Sequence, residues 1–295
     1  MIDLAKDNKV SFCTTCMNRL EQYKQTAVKN IRDNLSYPFV EHVLLDYNSK
    51  DGLEEWVKSN LRQWVDCGRL KYYKTTEPKY FDMSHAKNCA HKLATGDILV
   101  NLDCDNFTGV GYASFLNTLF QQNSNVAVNL ANNEGAVAVS RDNFVKLGGY
   151  DESFLPMTFQ DQDFLARAFF ANVEVLKLTG YYNNIERAKH SWEHKLDNIN
   201  PSCLPNGINF LEQFNKLHET NKHKMLQNLL NKRCTVNQSK EWGKYKLSKI
   251  LCSEEKPTVV ANKKFKTDLA VKVTKVSPKR PFEFFGCKLL WQLEN

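Results

Sequence analysis

Two aspartates, Asp103 and Asp105, flank one cysteine directly after the apolar run "DILVNL" at residues 97–102. Residues two apart in a strand point to the same side, so both carboxylates can reach one point beyond the end of the strand. Paired carboxylates are hard oxygen donors that suit Mg²⁺ or Mn²⁺, and these ions commonly bridge to diphosphates. A solvated loop after a strand would also place two aspartates here, so this D-x-D pattern alone leaves both interpretations open.

Predicted strands and helices alternate through the first 200 residues, and these elements must position the two aspartates. The predicted strands lie at residues 9–16, 39–52 (including a turn-rich end), 69–76, 97–103, 126–130, 135–140 and 173–178. The predicted helices lie at residues 19–35, 53–65, 84–94, 112–123 and 208–230, with a further helix starting near "QDQDF". Such alternation predicts an α/β fold with a mostly parallel, doubly wound sheet, which binds ligands at the carboxyl ends of its strands.

Composition limits the class of protein. The 295 residues, 42% of them hydrophobic, suffice for one large α/β domain with a small addition, or for two domains. No run approaches the roughly 20 apolar residues of a membrane span, and the N-terminus has no apolar signal-like segment. The nine cysteines show no zinc or disulfide spacing, and "CTTC" at 13–16 ends an apolar strand. We therefore expect a cytoplasmic chain with free thiols.

The charge is unevenly distributed. Residues 216–295 contain 18 Lys and Arg against 7 Asp and Glu, whereas residues 1–215 contain 22 against 26. This change and the sequence character after Pro201 predict two regions: a catalytic domain at 1–200 and a helical, then strand-rich, basic accessory region at 201–295. The basic excess is either a solvated appendage or a surface for an anionic partner, such as a membrane surface or polyanionic glycan. A nucleic acid partner is not expected.

Five short segments carry a family resemblance: "TTCMNR" after the first strand, "LLDYNSKDG", "HAKNCAHKLATGDILVNLDCDN", "GGYDESF" and "QDQDF". In this order they resemble the GT-A fold of nucleotide-sugar glycosyltransferases. The resemblance is to the family 2 class, with features of the β-1,4-galactosyltransferase and chondroitin polymerase branches, and it covers roughly residues 9–195. It implies a metal-dependent, inverting enzyme of glycan biosynthesis that moves a sugar from a UDP-sugar to a hydroxyl of a glycan or other acceptor.

The resemblance implies a nucleotide-sugar site. Thr15 and Arg19 match positions that line the uridine and diphosphate, although a helix N-cap and a surface charge are their alternatives. Asp46 matches the acid that accepts a hydrogen bond from uracil N3–H, and it could instead cap the "NSKDG" turn. Lys87 takes the place of a usual arginine near the nucleotide, and it keeps the charge but loses the bidentate fork. His85 is a competing alignment for that position.

The resemblance also implies a Mn²⁺ or Mg²⁺ site at the D-x-D motif. Asp105 matches the direct metal ligand, and Asp103 matches the contact to the ribose or to metal-bound water. "KHS" matches a further metal ligand at His190, with His194 as the alternative. Trp192 lies where an aromatic ring could stack on a sugar, or it could belong to the core.

The segment "GGYDESFLPMTFQDQDF" resembles the part of the family that carries the general base, which falls on Asp161. The N-terminal end of a helix favours an ionised carboxylate there. Asp163 resembles a structural acid of the same helix. Two departures stand out: Gln160 replaces the usual Glu, and "PMTF" replaces a usual glycine-containing run, so the acceptor site must be built differently.

Two other functions stay open on sequence alone. A sugar nucleotidyltransferase shares the sheet and the metal aspartates, but "TTCMNR" lacks the Gly-rich, Arg- and Lys-bearing signature expected after its first strand. A non-catalytic relative that binds glycan or anionic polymer is the second alternative, and Gln160 gives it some weight. "TTCMNR" also lacks the glycines of a dinucleotide-binding turn, which argues against a nicotinamide cofactor.

Overall fold

The computed structural model describes residues 7–130, 133–184, 187–189, 196–204, 209–238, 241–252 and 271–275. The strands of this part of the chain are β1 (Val10–Cys16), β2 (Val40–Tyr47), β3 (Leu70–Thr75), β4 (Ile98–Asn101), β5 (Val126–Leu130), β6 (Asn133–Ser140), β7 (Glu174–Gly180), β8 (Leu247–Leu251) and β9 (Val271–Lys275). The α-helices are α1 (Leu20–Asp33), α2 (Leu53–Asn60), α3 (Arg62–Asp66), α4 (Met83–Leu93), α5 (Tyr112–Gln122), α6 (Arg141–Lys146), α7 (Gln160–Phe170) and α8 (Phe210–Leu230).

All nine described strands form one sheet in the order β8-β3-β2-β1-β4-β6-β5-β7-β9. Strands β1 to β4, β5 and β7 run in one direction, and β6, β8 and β9 run in the other. The predicted α/β fold with a mostly parallel sheet flanked by helices is therefore confirmed. The antiparallel insertion of β6 between β4 and β5 was not predicted, because apolar periodicity does not encode strand direction.

The sheet is buried between helices on both faces. All eight residues of β2 are buried, as expected for a central parallel strand covered on both sides. In β4, Leu99 belongs to the cluster that contains Ala86 and Ala90 of α4, whereas Val100 belongs to the cluster with Tyr112 and Leu116 of α5. The alternation of side chains along the strand thus fixes α4 and α5 on opposite faces.

Two helical predictions differ in detail. The predicted helix at 53–65 is divided into α2 and α3, with a non-helical backbone at Leu61 (φ −114°, ψ 7°). The short helix α6 was not predicted; its N-terminus is capped by Ser140, whose side chain accepts a hydrogen bond from Asn143 N. None of the described helices has the length and apolar composition of a membrane span.

The described parts of residues 201–295 are joined to the rest of the fold. Strand β8 pairs with β3 at one edge of the sheet and β9 pairs with β7 at the other. On α8, Asn228 Nδ2 donates to Asp151 and to Asp163, and in the following loop Asn237 Nδ2 donates to the carbonyls of Gly148 and Tyr150. The functional division at residue 200 stays a prediction, but the chain after it supplies both edge strands.

Candidate active site

A cavity of about 470 Å³ opens at the carboxyl ends of β1 and β4. It brings together six residues that the sequence predicted to act in one site: Thr15, Arg19, Lys87, Asp103, Asp105 and Asp161. They come from the end of β1, the start of α1, the middle of α4, the turn after β4 and the first turn of α7. Long-range packing therefore creates the site, because these elements are far apart in sequence.

The two aspartates of the D-x-D motif lie in a turn. Strand β4 ends at Asn101, and Asn106 N donates to the Asp103 carbonyl at 2.9 Å. Side chains of α1 hold this turn: Thr26 Oγ1 donates to the Cys104 carbonyl at 2.7 Å and Asn30 Nδ2 to the Asn106 carbonyl at 2.8 Å. The expectation that both carboxylates continue the strand is corrected, since the chain bends at Asp103, yet both still line one cavity.

Asp103 has a closely fitted environment. Asn101 Nδ2 donates to Asp103 Oδ1 at 3.0 Å and also donates to the Gly135 carbonyl. A Cβ atom at position 135 would lie 2.3 Å from Asp103 Oδ2, so only glycine fits there without moving the carboxylate. Strand β6, which the sequence analysis did not connect with the site, thus forms one wall of the Asp103 position.

Arg187 is a cavity residue that the sequence analysis missed. An isolated antiparallel bridge joins it to Asn106, and Ala188 N donates to the Asp105 carbonyl at 2.8 Å. Lys189 N donates to Gln25 Oε1 of α1 at 3.2 Å. These contacts bring a guanidinium group to the cavity that holds the two aspartates, and guanidinium is well suited to bind phosphate oxygens. The available sequence signal was one arginine just before His190.

The side chain of Lys87 forms a buried ion pair with Asp161. Its Nζ lies 2.8 Å from both carboxylate oxygens of Asp161 and 3.6 Å from Asp103 Oδ1. Burial opposes the charge of Lys87, but Asp103 and Asp161 raise its pKa above the ordinary value. Burial raises the pKa of Asp161, and the Asp103 carboxylate raises it further, while Lys87 opposes this. The Tyr150 hydroxyl adds a hydrogen bond to Asp161.

The loop before Asp161 is held in an unusual backbone conformation. Thr158 and Phe159 have φ angles of 76° and 63°, in the left-handed region that favours glycine. Glycine would adopt these angles without strain, so here packing must offset the strain at Thr158 and Phe159. Asn221 Nδ2 of α8 donates to the carbonyls of Leu155, Met157 and Thr158, so α8 holds the loop in place.

Asp46 lies outside the lining of the cavity. Its side chain is fully buried, and its oxygens accept hydrogen bonds from Ser49 N and the Tyr72 hydroxyl, both at 2.7 Å, with Lys74 Nζ at 3.4 Å. Ser49 Oγ in turn accepts from Asn18 N in the loop after β1. In this arrangement Asp46 shapes the loop that precedes Arg19, and a uracil contact at Asp46 stays a prediction.

Asp163 and His85 also lie away from the cavity lining. Asp163 is buried and accepts hydrogen bonds from Arg167 Nε at 2.7 Å and Asn228 Nδ2 at 2.9 Å. Nδ1 of His85 lies 2.6 Å from the Tyr47 hydroxyl, and Nε2 lies 2.9 Å from the Lys244 carbonyl. Of the two competing alignments, Lys87 is therefore the one whose side chain reaches the cavity.

The predicted metal site is described only in part. His190, Trp192 and His194 lie outside the described residues. Within the described ranges, no three His, Cys, Asp or Glu side chains form a group that could hold a metal ion. The carboxylates of Asp103 and Asp105, which both line the cavity, fit the oxygen-donor preference of Mg²⁺ or Mn²⁺, which commonly completes its coordination with water and substrate phosphates.

Comparison with known proteins supports the sequence resemblance. The family model of Glycosyl transferase family 2 matches residues 11–134. This range contains Thr15, Arg19, Lys87 and both aspartates of the D-x-D motif. The resemblance to family 2 glycosyltransferases is therefore confirmed, and Asp161 and Arg187 lie beyond the matched range. No curated protein matches the chain.

Two solved structures are similar to part of the chain. One is the mannosyltransferase PcManGT from Pyrobaculum calidifontis in complex with GDP-Man and Mn²⁺, with 18% identity, a TM-score of 0.46, and coverage of 58% of this chain and 54% of that one. The other is GalNAc-T7 with UDP, GalNAc and Mn²⁺, with 14% identity, a TM-score of 0.49, and coverage of 58% and 42%. The chain thus spans about half the length of these two proteins.

Proposed function

We propose that this chain, a glycosyltransferase similar to family 2, transfers a sugar from a UDP-sugar to a hydroxyl group of a glycan or other acceptor with inversion at the anomeric carbon. One observation carries the proposal: six residues predicted independently of the structure line a single cavity at the carboxyl ends of parallel strands. Two of them are the paired carboxylates, and one is the candidate base.

The part of the cavity proposed to bind the nucleotide-sugar contains positively charged side chains for the diphosphate and carboxylates for a metal ion. Arg19 and Arg187 supply positive charge for the diphosphate, and the Thr15 hydroxyl supplies a hydrogen-bonding group. Asp105 and Asp103, with His190 as the predicted additional ligand, would hold Mn²⁺ or Mg²⁺. Such an ion, when bound, neutralises the charge that develops on the departing diphosphate.

Asp161 is proposed to accept the proton of the acceptor hydroxyl. Its raised pKa makes it a stronger base than an ordinary aspartate, and Lys87 favours its ionised form. Lys87 donates to both carboxylate oxygens and Tyr150 to one of them, which leaves one of their roughly four lone-pair positions for a substrate hydroxyl. As the acceptor oxygen forms its bond to the anomeric carbon, the bond to the diphosphate oxygen breaks and its electron pair leaves with the diphosphate. In-line displacement of this kind inverts the anomeric configuration, as in inverting glycosidases.

The choice of UDP rests on the family resemblance, so the test must include other donors. We would incubate the purified chain with UDP- and GDP-sugars, with Mn²⁺, Mg²⁺ or EDTA, and measure release of the nucleoside diphosphate. We expect release from a UDP-sugar that requires the metal ion. Pyrophosphate release from UTP and a sugar 1-phosphate would indicate a nucleotidyltransferase instead, and absence of release from every donor would refute the proposal.

The basic C-terminal region is proposed to contact an anionic surface. The motivation is the excess of 18 Lys and Arg over 7 Asp and Glu in residues 216–295. Co-sedimentation with vesicles that contain an anionic lipid, compared with neutral vesicles at two salt concentrations, measures this contact. Equal sedimentation with both vesicle types would contradict it.

A further inference from the structure

Helix α8, which follows the predicted catalytic region, contributes aromatic side chains to the cavity. Phe214 and His218 line it, together with Phe159 from the loop before α7. The ring centroids of Phe159 and His218 lie 4.6 Å apart, and those of Phe214 and His218 lie 6.2 Å apart. These three residues are called the aromatic wall.

The helical spacing explains why Phe214 and His218 lie on the same side of α8. Positions 214 and 218 are one turn apart, so they share a face of α8. The neighbouring face, with Leu217, Asn221 and Met225, is buried, and Met225 packs in a cluster with Phe159. The wall is therefore held by the packing of α8 and by the hydrogen bonds of Asn221 to the loop.

The aromatic wall is connected to Asp161 through Phe159. Phe159 precedes Asp161 by two residues, whereas the aspartates of the D-x-D motif and Arg187 come from the turn after β4 and the segment at 187–189. The molecule whose hydroxyl Asp161 deprotonates must lie beside Asp161. An occupant of the wall is therefore better placed to be the acceptor than the nucleotide.

A polar atom next to the wall also lacks a partner. Gln160 is 2% exposed and lines the cavity, and its Nε2 donates to the Leu155 carbonyl. Its Oε1 is buried and has no hydrogen-bond partner among the described residues. A buried acceptor without a partner is unfavourable, so a hydroxyl on a bound molecule would stabilise this arrangement.

We infer that the aromatic wall and Gln160 form the acceptor subsite for a neutral pyranose ring. The rings contact the apolar C–H face of the sugar, and Gln160 Oε1 accepts a hydrogen bond from a hydroxyl while another hydroxyl lies at Asp161. A neutral sugar fits because the lining residues of the 157–162 segment and α8 include no Lys or Arg, and Lys87, the cation in contact with Asp161, is already paired with that carboxylate. This inference rests on the proposed function.

The test compares variants of Phe214 on the full chain. Phe214→Ala removes the side chain, Phe214→Leu keeps apolar volume without a ring, and Phe214→Tyr keeps the ring. Leu211→Ala is the matched control, because Leu211 lies on the same helix with 63% exposure and does not line the cavity. Methyl glucoside, galactoside and N-acetylglucosaminide are the probes, with methyl glucuronide as the charged contrast.

Two measurements separate the acceptor subsite from the donor reaction. Saturation-transfer NMR with UDP and Mg²⁺ measures binding of each methyl glycoside, and the ratio of sugar transfer to donor hydrolysis measures its use. We expect Phe214→Ala and Phe214→Leu to weaken binding and lower this ratio about tenfold, with Phe214→Tyr and Leu211→Ala close to the unchanged chain. The glucuronide should bind more weakly than the glucoside.

Other results would overturn the inference. If Phe214→Leu bound glycosides as well as the unchanged chain, the ring would not be the recognition element. Equal losses of transfer and hydrolysis would place Phe214 at the donor. Absence of hydrolysis of any nucleotide-sugar by the unchanged chain would refute the proposed function, whereas the NMR measurement would still report on glycoside binding at the wall.

Discussion

Lys87 Nζ lies 2.8 Å from each carboxylate oxygen of Asp161, and Lys87 is 1% exposed while Asp161 is 8% exposed. Lys87 is also 3.6 Å from Asp103 Oδ1, so one ammonium group connects the candidate base with the D-x-D turn. Lys87 and the two carboxylates therefore stabilise one another, because an unpaired charge in a buried environment is strongly unfavourable.

Lys87→Met should lower the free energy of unfolding by about 3–5 kcal/mol, because it leaves Asp161 buried without its counter-charge. Adding Asp161→Asn removes the stranded charge, so the double variant should be more stable than Lys87→Met alone. Urea unfolding of the two single variants and the double variant measures the coupling. Additive losses would show that the pair is not coupled in stability.

Asp161→Asn should reduce sugar transfer by about a hundredfold or more, as expected for the loss of a general base. Binding of UDP with Mn²⁺, measured by calorimetry, should remain nearly intact. NMR of the product formed by the unchanged chain gives its anomeric configuration, which should be inverted. A variant that binds UDP poorly but transfers normally at saturating donor would move Asp161 to the donor site, and a retained configuration would remove the role of base.

Asp105→Ala should abolish metal-dependent release of the nucleoside diphosphate, because it removes the predicted direct ligand. The backbone contact from Ala188 N to the Asp105 carbonyl does not depend on the side chain, so the turn should persist. Asp66→Ala is the control, since Asp66 is an exposed carboxylate that does not line the cavity. Near-normal release by Asp105→Ala in the presence of Mn²⁺ would contradict the metal assignment.

Glu41→Gln should lower stability at pH 7 by on the order of 2–3 kcal/mol and flatten its dependence on acid pH. Burial opposes the charge of Glu41, but hydrogen bonds from Lys71, Lys9 and Ser11 lower its pKa to about 2, below the ordinary 4.5. The ionised Glu41 carboxylate therefore contributes its full stabilisation above pH 4.5, and this contribution is lost as the pH falls toward 2. Thermal unfolding of Glu41→Gln and of the unchanged chain, from pH 7 to pH 2.5, measures this dependence of stability on pH. The same pH dependence in both proteins would contradict the prediction.

Truncation after residue 235 should give an insoluble or strongly destabilised protein. It removes both edge strands, β8 and β9, together with Asn237 and Trp242, whose ring lies beneath Lys92 Nζ at 4.0 Å. Truncation after residue 275 keeps these elements and is the control. Preserved unfolding free energy and donor hydrolysis in the shorter chain would instead support an accessory region that is separable from the catalytic fold.

The sequence by itself predicted the succession of strands and helices along most of the chain and six of the residues that line the cavity. Asp103 and Asp105 follow an apolar strand, and Asp161 lies in the first acidic turn of a helix; both are patterns that a short window of sequence contains. Because parallel strands present their carboxyl ends at one edge, the alternation of elements sufficed to predict that such residues meet.

Only the tertiary structure decided which partners these residues have. The Asp46 carboxylate accepts a hydrogen bond from Tyr72 and pairs with Lys74, both on the neighbouring strand. Arg187 reaches the cavity through a backbone bridge to Asn106. Phe214 and His218 reach it because α8 packs on α7, which ends 40 residues before α8 begins. Strand register and helix packing depend on contacts between distant residues, which local propensity and periodicity do not contain.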